Sequence, residues 1–109
     1  MNSSTFYSKI QKIADTYGYD AQSRQCIEEM AELTQAINKY WRVALDCGNR
    51  AITDRKMPKI SSTFDNLVEE IADVQIMLWQ LEYLFDTDVS RIIEQKLDRQ
   101  LERIEKDDN

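Results

Sequence analysis

At 109 residues the chain is of single-domain size, and 2 Gly and 1 Pro are too few turn residues for a sheet protein. A net charge of −6 argues against binding a phosphate backbone through bulk electrostatics, so no nucleic-acid partner is expected. With no apolar run of spanning length and no signal-like segment, the expectation is a cytoplasmic protein with no membrane partner.

Helix-compatible residues dominate the remainder, which makes the class all-α. The first helix is expected from about Ser4 to Tyr17, with Phe6, Ile10, Ile13 and Tyr17 as its stripe and Gly18 as its stop. Asp20 can cap a second helix running to about Asp46, with Gly48 at its end. It would span roughly 40 Å, too long for so small a chain to cover alone. Its core arc reads Cys26, Met30, Leu33, Ile37, Tyr40 and Ala44. Asn49 to Ser62, with Pro58 and the cations Arg50, Arg55, Lys56 and Lys59, reads as a loop with room for a short helical turn. Ser62 or Thr63 then caps a third helix to about Phe85, whose arc is Leu67, Ile71, Val74, Leu78, Leu81 and Phe85. A last helix should start at Asp86 to Asp88 and run to about Lys106. Because Val68, Ala72, Ile76 and Trp79 fall outside that arc, the third helix is apolar on most sides. A second subunit is expected to cover it, with Trp41 and Trp79 as candidate anchors.

Two acidic phrases carry the chemistry, Glu28-Glu29-Met30-Ala31-Glu32-Leu33 and Glu69-Glu70-Ile71-Ala72-Asp73-Val74. Glu29 with Glu32, and Glu70 with Asp73, stand three apart and so share a helix face. Glu70 falls inside the apolar arc, whereas Glu69 points away from it. Carboxylates facing a core are costly unless paired, protonated or bound to a metal. With no His, the chain has no His-based triad and no His-ligated zinc. Cys26 and Cys47 form no CxxC and read as reduced, incidental thiols.

In their order and flanking residues, Gln22-x6-Glu29-x2-Glu32-Leu33 and Glu70-x2-Asp73-Val74 resemble the MazG-like, all-α nucleoside triphosphate pyrophosphohydrolases over about residues 17 to 104. The resemblance implies one MazG-like domain over 1–109, a four-helix bundle completed by homo-oligomerisation into a dimer or tetramer. It implies magnesium, with manganese as a possible substitute, on Glu29, Glu32, Glu70 and Asp73, and a nucleoside triphosphate as substrate. Glu29 or Glu32 would orient the attacking water, and the products would be a monophosphate and pyrophosphate. Substrate-binding roles are carried over to Gln22, Lys39, Lys96 and Arg99. Arg103 extends the basic stripe of the last helix, but Gln100 stands where the family pattern has Asn. Two other functions compete with this one: a non-catalytic helical interaction protein or catalytically dead relative, and a magnesium-dependent hydrolase of another nucleotide phosphate.

Overall fold

The computed structural model describes the backbone of residues 3–49 and 57–107, and side chains over 5–44 and 59–107. Arg50, Arg55 and Lys56 of the expected loop, and the side chain of Cys47, lie outside the described residues. Among the described residues all is helical except the turn over 85–89, and no helix is long and apolar enough to cross a membrane. The helices are α1 (Ser3–Asn49), α2 (Met57–Leu84) and α3 (Ser90–Asp107).

The expected stop at Gly18 is a kink within α1, where φ is 82° and ψ 171°. Side chains other than hydrogen rarely tolerate that conformation, so glycine is the local cause of the break. It divides α1 into a leg over 3–17, here α1a, and a leg over 19–49, here α1b. Ile10 and Ala14 are buried from α1a, whereas Ile13 and Tyr17 of the expected stripe are exposed. Phe6 meets Trp79 edge to face at 4.9 Å, and Tyr83 Oη donates to both oxygens of Asp15, at 3.0 and 2.8 Å. These contacts tie α1a to the last turns of α2.

Met57, not Ser62 or Thr63, begins α2, so part of the expected loop is helical. Pro58 sits in its first turn, where a missing N–H leaves no bond unmade. The helix ends in a Schellman arrangement: Asp86 N–H donates to Tyr83 O at 3.0 Å and Thr87 N–H to Glu82 O at 3.0 Å. Asp86 takes the left-handed conformation at φ 50°. Asp88 then caps α3, accepting from Ser90 N–H at 2.9 Å and Ser90 Oγ–H at 2.6 Å. Those bonds hold its carboxyl below the usual range.

The core lies between α1b and α2, which run antiparallel. Gln22, Cys26, Glu29, Leu33, Ala36 and Tyr40 form an inner seam at alternating steps of four and three. Thr63, Leu67, Glu70, Val74 and Met77 form its counterpart, and every member of both seams is buried or half-buried. One residue on from each inner position except Gln22 lies an exposed one. Ile27, Met30, Ile37 and Trp41 lie there along α1b, and Phe64, Val68, Ile71 and Leu78 along α2, with Phe85 exposed just past its end. Met30, Ile37, Ile71, Leu78 and Phe85 are therefore not core residues of this chain. A helical wheel sees apolar character but not which of two adjacent seams meets the neighbouring helix. Because the helices are antiparallel and each outer stripe is displaced in the same sense, both emerge on one side of the hairpin.

Among the described residues the expected bundle of four packed helices is not seen within one chain. α3 buries no residue and makes no backbone approach to α1 or α2. Ile93, Leu97, Leu101 and Ile104 run along one exposed face of it. By helical geometry Glu94, Asp98 and Glu105 flank that face on one side and Lys96, Arg99 and Arg103 on the other. A groove of about 470 Å³, lined by Leu78, Trp79, Phe85, Val89 and Ile93 among others, lies at the junction of α2 and α3.

A Cβ added at Gly18 meets no atom within 4 Å, so only backbone strain opposes substitution there. Gly18→Ala should lower the unfolding free energy by about 1–3 kcal/mol in urea titration; an unchanged midpoint would show that the kink does not depend on glycine.

Candidate metal centre

α1b and α2 each send their acidic phrase to the middle of the hairpin. Glu29 and Glu70 occupy inner-seam positions and are half-buried, while Asp73, three residues after Glu70, is exposed beside them. One carboxylate oxygen from each of Glu29, Glu70 and Asp73 lies within 4.8 Å of the others. Glu32 is exposed at the edge of this triad and interacts side chain to side chain with Glu29 and Glu70. The two phrases, 37 residues apart from Glu32 to Glu69 in sequence, thus converge on one place.

Within the cluster, hydrogen bonding is lopsided. Gln25 Nε2–H donates to Glu29 Oε1 at 2.8 Å and fixes that oxygen. Glu29 Oε2 and Glu70 Oε2 are buried with no hydrogen-bond partner. A buried carboxylate oxygen without a donor is destabilising, more so when charged. Together with Asp73, the two glutamates form a group that could hold a cation. A recess of about 130 Å³, lined by Glu29, Asp73, Ile76 and Met77, opens beside them.

The electrostatics agree with the geometry. Burial pushes the carboxyl of Glu70 up, assisted by the charges of Glu32, Asp73 and Glu29. Asp73 is pushed up by burial and then by Glu29 and Glu69. For Glu32 the first cause is the charge of Glu29, with burial second. All the donors are carboxylate oxygens, the set that suits a hard divalent ion such as magnesium, with manganese accommodated by the same atoms. The orphaned oxygens and the uniform donor set fit such an ion on Glu29, Glu70 and Asp73, with Glu32 alongside.

The remaining expected site residues are not gathered here. Gln22 is buried, and its Nε2–H donates to Gln80 Oε1 at 2.7 Å, which places it in the core and not on a surface open to substrate. Lys39 is exposed on α1b ten residues beyond Glu29, about 15 Å along the axis. Lys96 and Arg99 line a small groove with Gln100 and Arg103 on α3, which does not approach the acidic hairpin. Sequence reading missed Gln25 and Gln80. Gln25 was visible in principle, because residues four apart on a helix face one another. Nothing in the sequence marked Gln80 out from other polar residues of α2.

No protein-family model, no curated protein and no solved structure matches the chain, so function has to be read from this site.

The raised acids imply a particular pH response without metal. Glu32, Glu70 and Asp73 hold their protons more tightly folded than unfolded, so the folded chain takes up protons first as pH falls. Their destabilisation is complete above the raised values and gone below the ordinary carboxylate range. Metal-free protein should therefore gain urea resistance as pH is lowered from about 7 toward the upper carboxylate range, and Glu70→Gln should shrink that gain. A wild-type stability that only falls over this interval would contradict the clustering.

Proposed function

We propose that this chain is a magnesium-dependent nucleoside triphosphate pyrophosphohydrolase of the MazG-like kind its acidic phrases resemble, working as a homo-oligomer. The observation that carries the reading is the convergence of Glu29, Glu70 and Asp73 with two buried, unpartnered oxygens. Structural acids of a helical hairpin would be expected to face solvent or to meet a cation from the protein.

Glu29, Glu70 and Asp73 would hold the ion, which supplies charge neutralisation at the phosphates and acidity to a bound water. Glu32, at the solvent edge with its proton affinity raised by Glu29, suits the role of accepting a proton from the attacking water. The reaction breaks the bond between the α-phosphorus and its bridging oxygen, leaving a monophosphate and releasing pyrophosphate. Cations for the phosphates would come from Lys96, Arg99 and Lys39. Since α3 does not reach the acids of its own chain, Lys96 and Arg99 would serve the site of another copy.

The outer side of the hairpin supports assembly. Burial of the remaining exposed area of Ile27, Ile37, Ile71 and Leu78, each at least 42% exposed, would contribute about 1 kcal/mol per side chain to a complex. The same apolar exposure favours the second reading, a non-catalytic interaction protein, and metal dependence separates the two.

In an assay of pyrophosphate release from a panel of nucleoside triphosphates, Glu70→Gln should reduce magnesium-dependent turnover about 100-fold or more. Glu69→Gln should leave most of it, because Glu69 is exposed and outside the triad. Equal losses in both variants, or no thermal stabilisation of wild type by millimolar magnesium, would favour the interaction protein.

Sedimentation of the wild type at micromolar concentration should give a dimer or larger. Ile71→Glu with Leu78→Glu should shift it toward monomer, and a wild-type monomer would overturn the assembly.

A further inference from the structure

Gln80 is 1% exposed and Gln22 7% exposed, in a core whose buried apolar members are Ile10, Ala14, Cys26, Ala36, Val74 and Met77. Their amides form a buried hydrogen bond of 2.7 Å between α1b and α2, and Gln80 Nε2 also lies 3.8 Å from Met77 Sδ. Two amides in a core of this size are an expensive way to fill space. Replacing both partners of such a bond by apolar groups of similar shape is commonly neutral or stabilising. The bond therefore has to be explained by something other than stability.

Its placement supplies the explanation. Glu29 follows Gln22 by seven residues, and Asp73 precedes Gln80 by seven. On antiparallel helices these are equal steps in the same direction along the hairpin. Any register that pairs the glutamines therefore also sets Glu29 level with Asp73. Three residues further on, Glu32 comes level with Glu70, and these pairs do interact. Apolar side chains repeating at steps of three and four cannot by themselves tell this register from one displaced by seven residues, about 10 Å. Slipping α1b toward the start of α2 by that amount brings Gln22 level with Asp73 and parts the two amides.

The carboxylates themselves work against the register that unites them. Without metal they repel, so the hairpin would lower its energy by moving them apart. A determinant is needed that favours the assembled site before a cation arrives. Buried polar pairs are known to fix helix register at some cost in stability. We infer that Gln22 and Gln80 are positioning residues, whose buried amide bond sets the α1b–α2 register that assembles the acidic site. The role in metal binding rests on the function proposed above, whereas the role in register does not.

The test uses the full chain with Gln22→Met/Gln80→Met, and Gln22→Leu/Gln80→Leu as a second version. Spin labels on non-natural residues at the exposed positions 24 and 65 report register in metal-free protein, diluted with unlabelled chain so that only distances within one chain are read. Mn2+ alone is the binding probe. The expected double variant unfolds cooperatively at a urea midpoint no lower than wild type. Its label distances broaden or gain a population displaced by about 10 Å. Its Mn2+ dissociation constant rises about tenfold or more. A single narrow distance matching wild type overturns the register role and leaves the metal reading standing. Failure of both versions to fold also overturns it, because the bond would then be a stability element. Wild-type protein that binds no Mn2+ removes the metal reading and the positioning role with it, while the distances still decide the register.

Discussion

Mutual repulsion of carboxylates held between α1b and α2 is the constraint on which the rest of the hairpin depends. Glu29 and Glu70 stand at positions an ordinary antiparallel helix pair would give to leucine, and each leaves an oxygen buried without a donor. The apolar contacts on either side must hold these groups together. Cys26 and Met77 are buried beyond them toward one end of the hairpin, and Ala36 and Thr63 toward the other. Pressing two apolar ends together forces an acidic middle into contact, and this raises the proton affinity of Glu32, Glu70 and Asp73 together.

Much of this was legible in the sequence. Helical class and the break at Gly18 follow from composition and backbone sterics, whereas the association of the two acidic phrases was implied by the family resemblance. Placing Glu70 on the inner side of its helix and Glu69 outside was also within reach, since a wheel separates neighbours by about 100°. The correct division of apolar residues was not. Ile71 and Val74 look alike on a wheel, yet Val74 is buried and Ile71 exposed, because only the position of α1b decides which seam is covered. Local chemistry misled in the opposite sense at the start of α2. A proline and several cations suggested loop, while Pro58 in a first helical turn conflicts with nothing. Asp86 in a left-handed turn gave no signal of the kind glycine gives at position 18.

The sequence was least informative about Gln22. The family resemblance implied a role at the substrate, and the fold turns it inward to Gln80. A polar residue at a seam position can face a ligand or a partner across the core, and periodicity is the same in both cases. Only the helix opposite decides. For α3 the reverse holds: its amphipathic pattern is plain, but among the described residues no other helix packs on it.

The equal seven-residue steps from the glutamines to the acids bear on how such a sequence can vary. Over 23–28 and 74–79 many side chains are exposed and can change without disturbing the hairpin. Their number is a different matter. One residue inserted between Gln22 and Glu29 would turn everything beyond it by about 100° and lift it about 1.5 Å, carrying Glu29 off the inner seam while Gln22 stayed in place. Compensation would need a matching change in the other helix, between Asp73 and Gln80. Descent with modification in these two stretches is thus free in composition at the exposed positions and fixed in length.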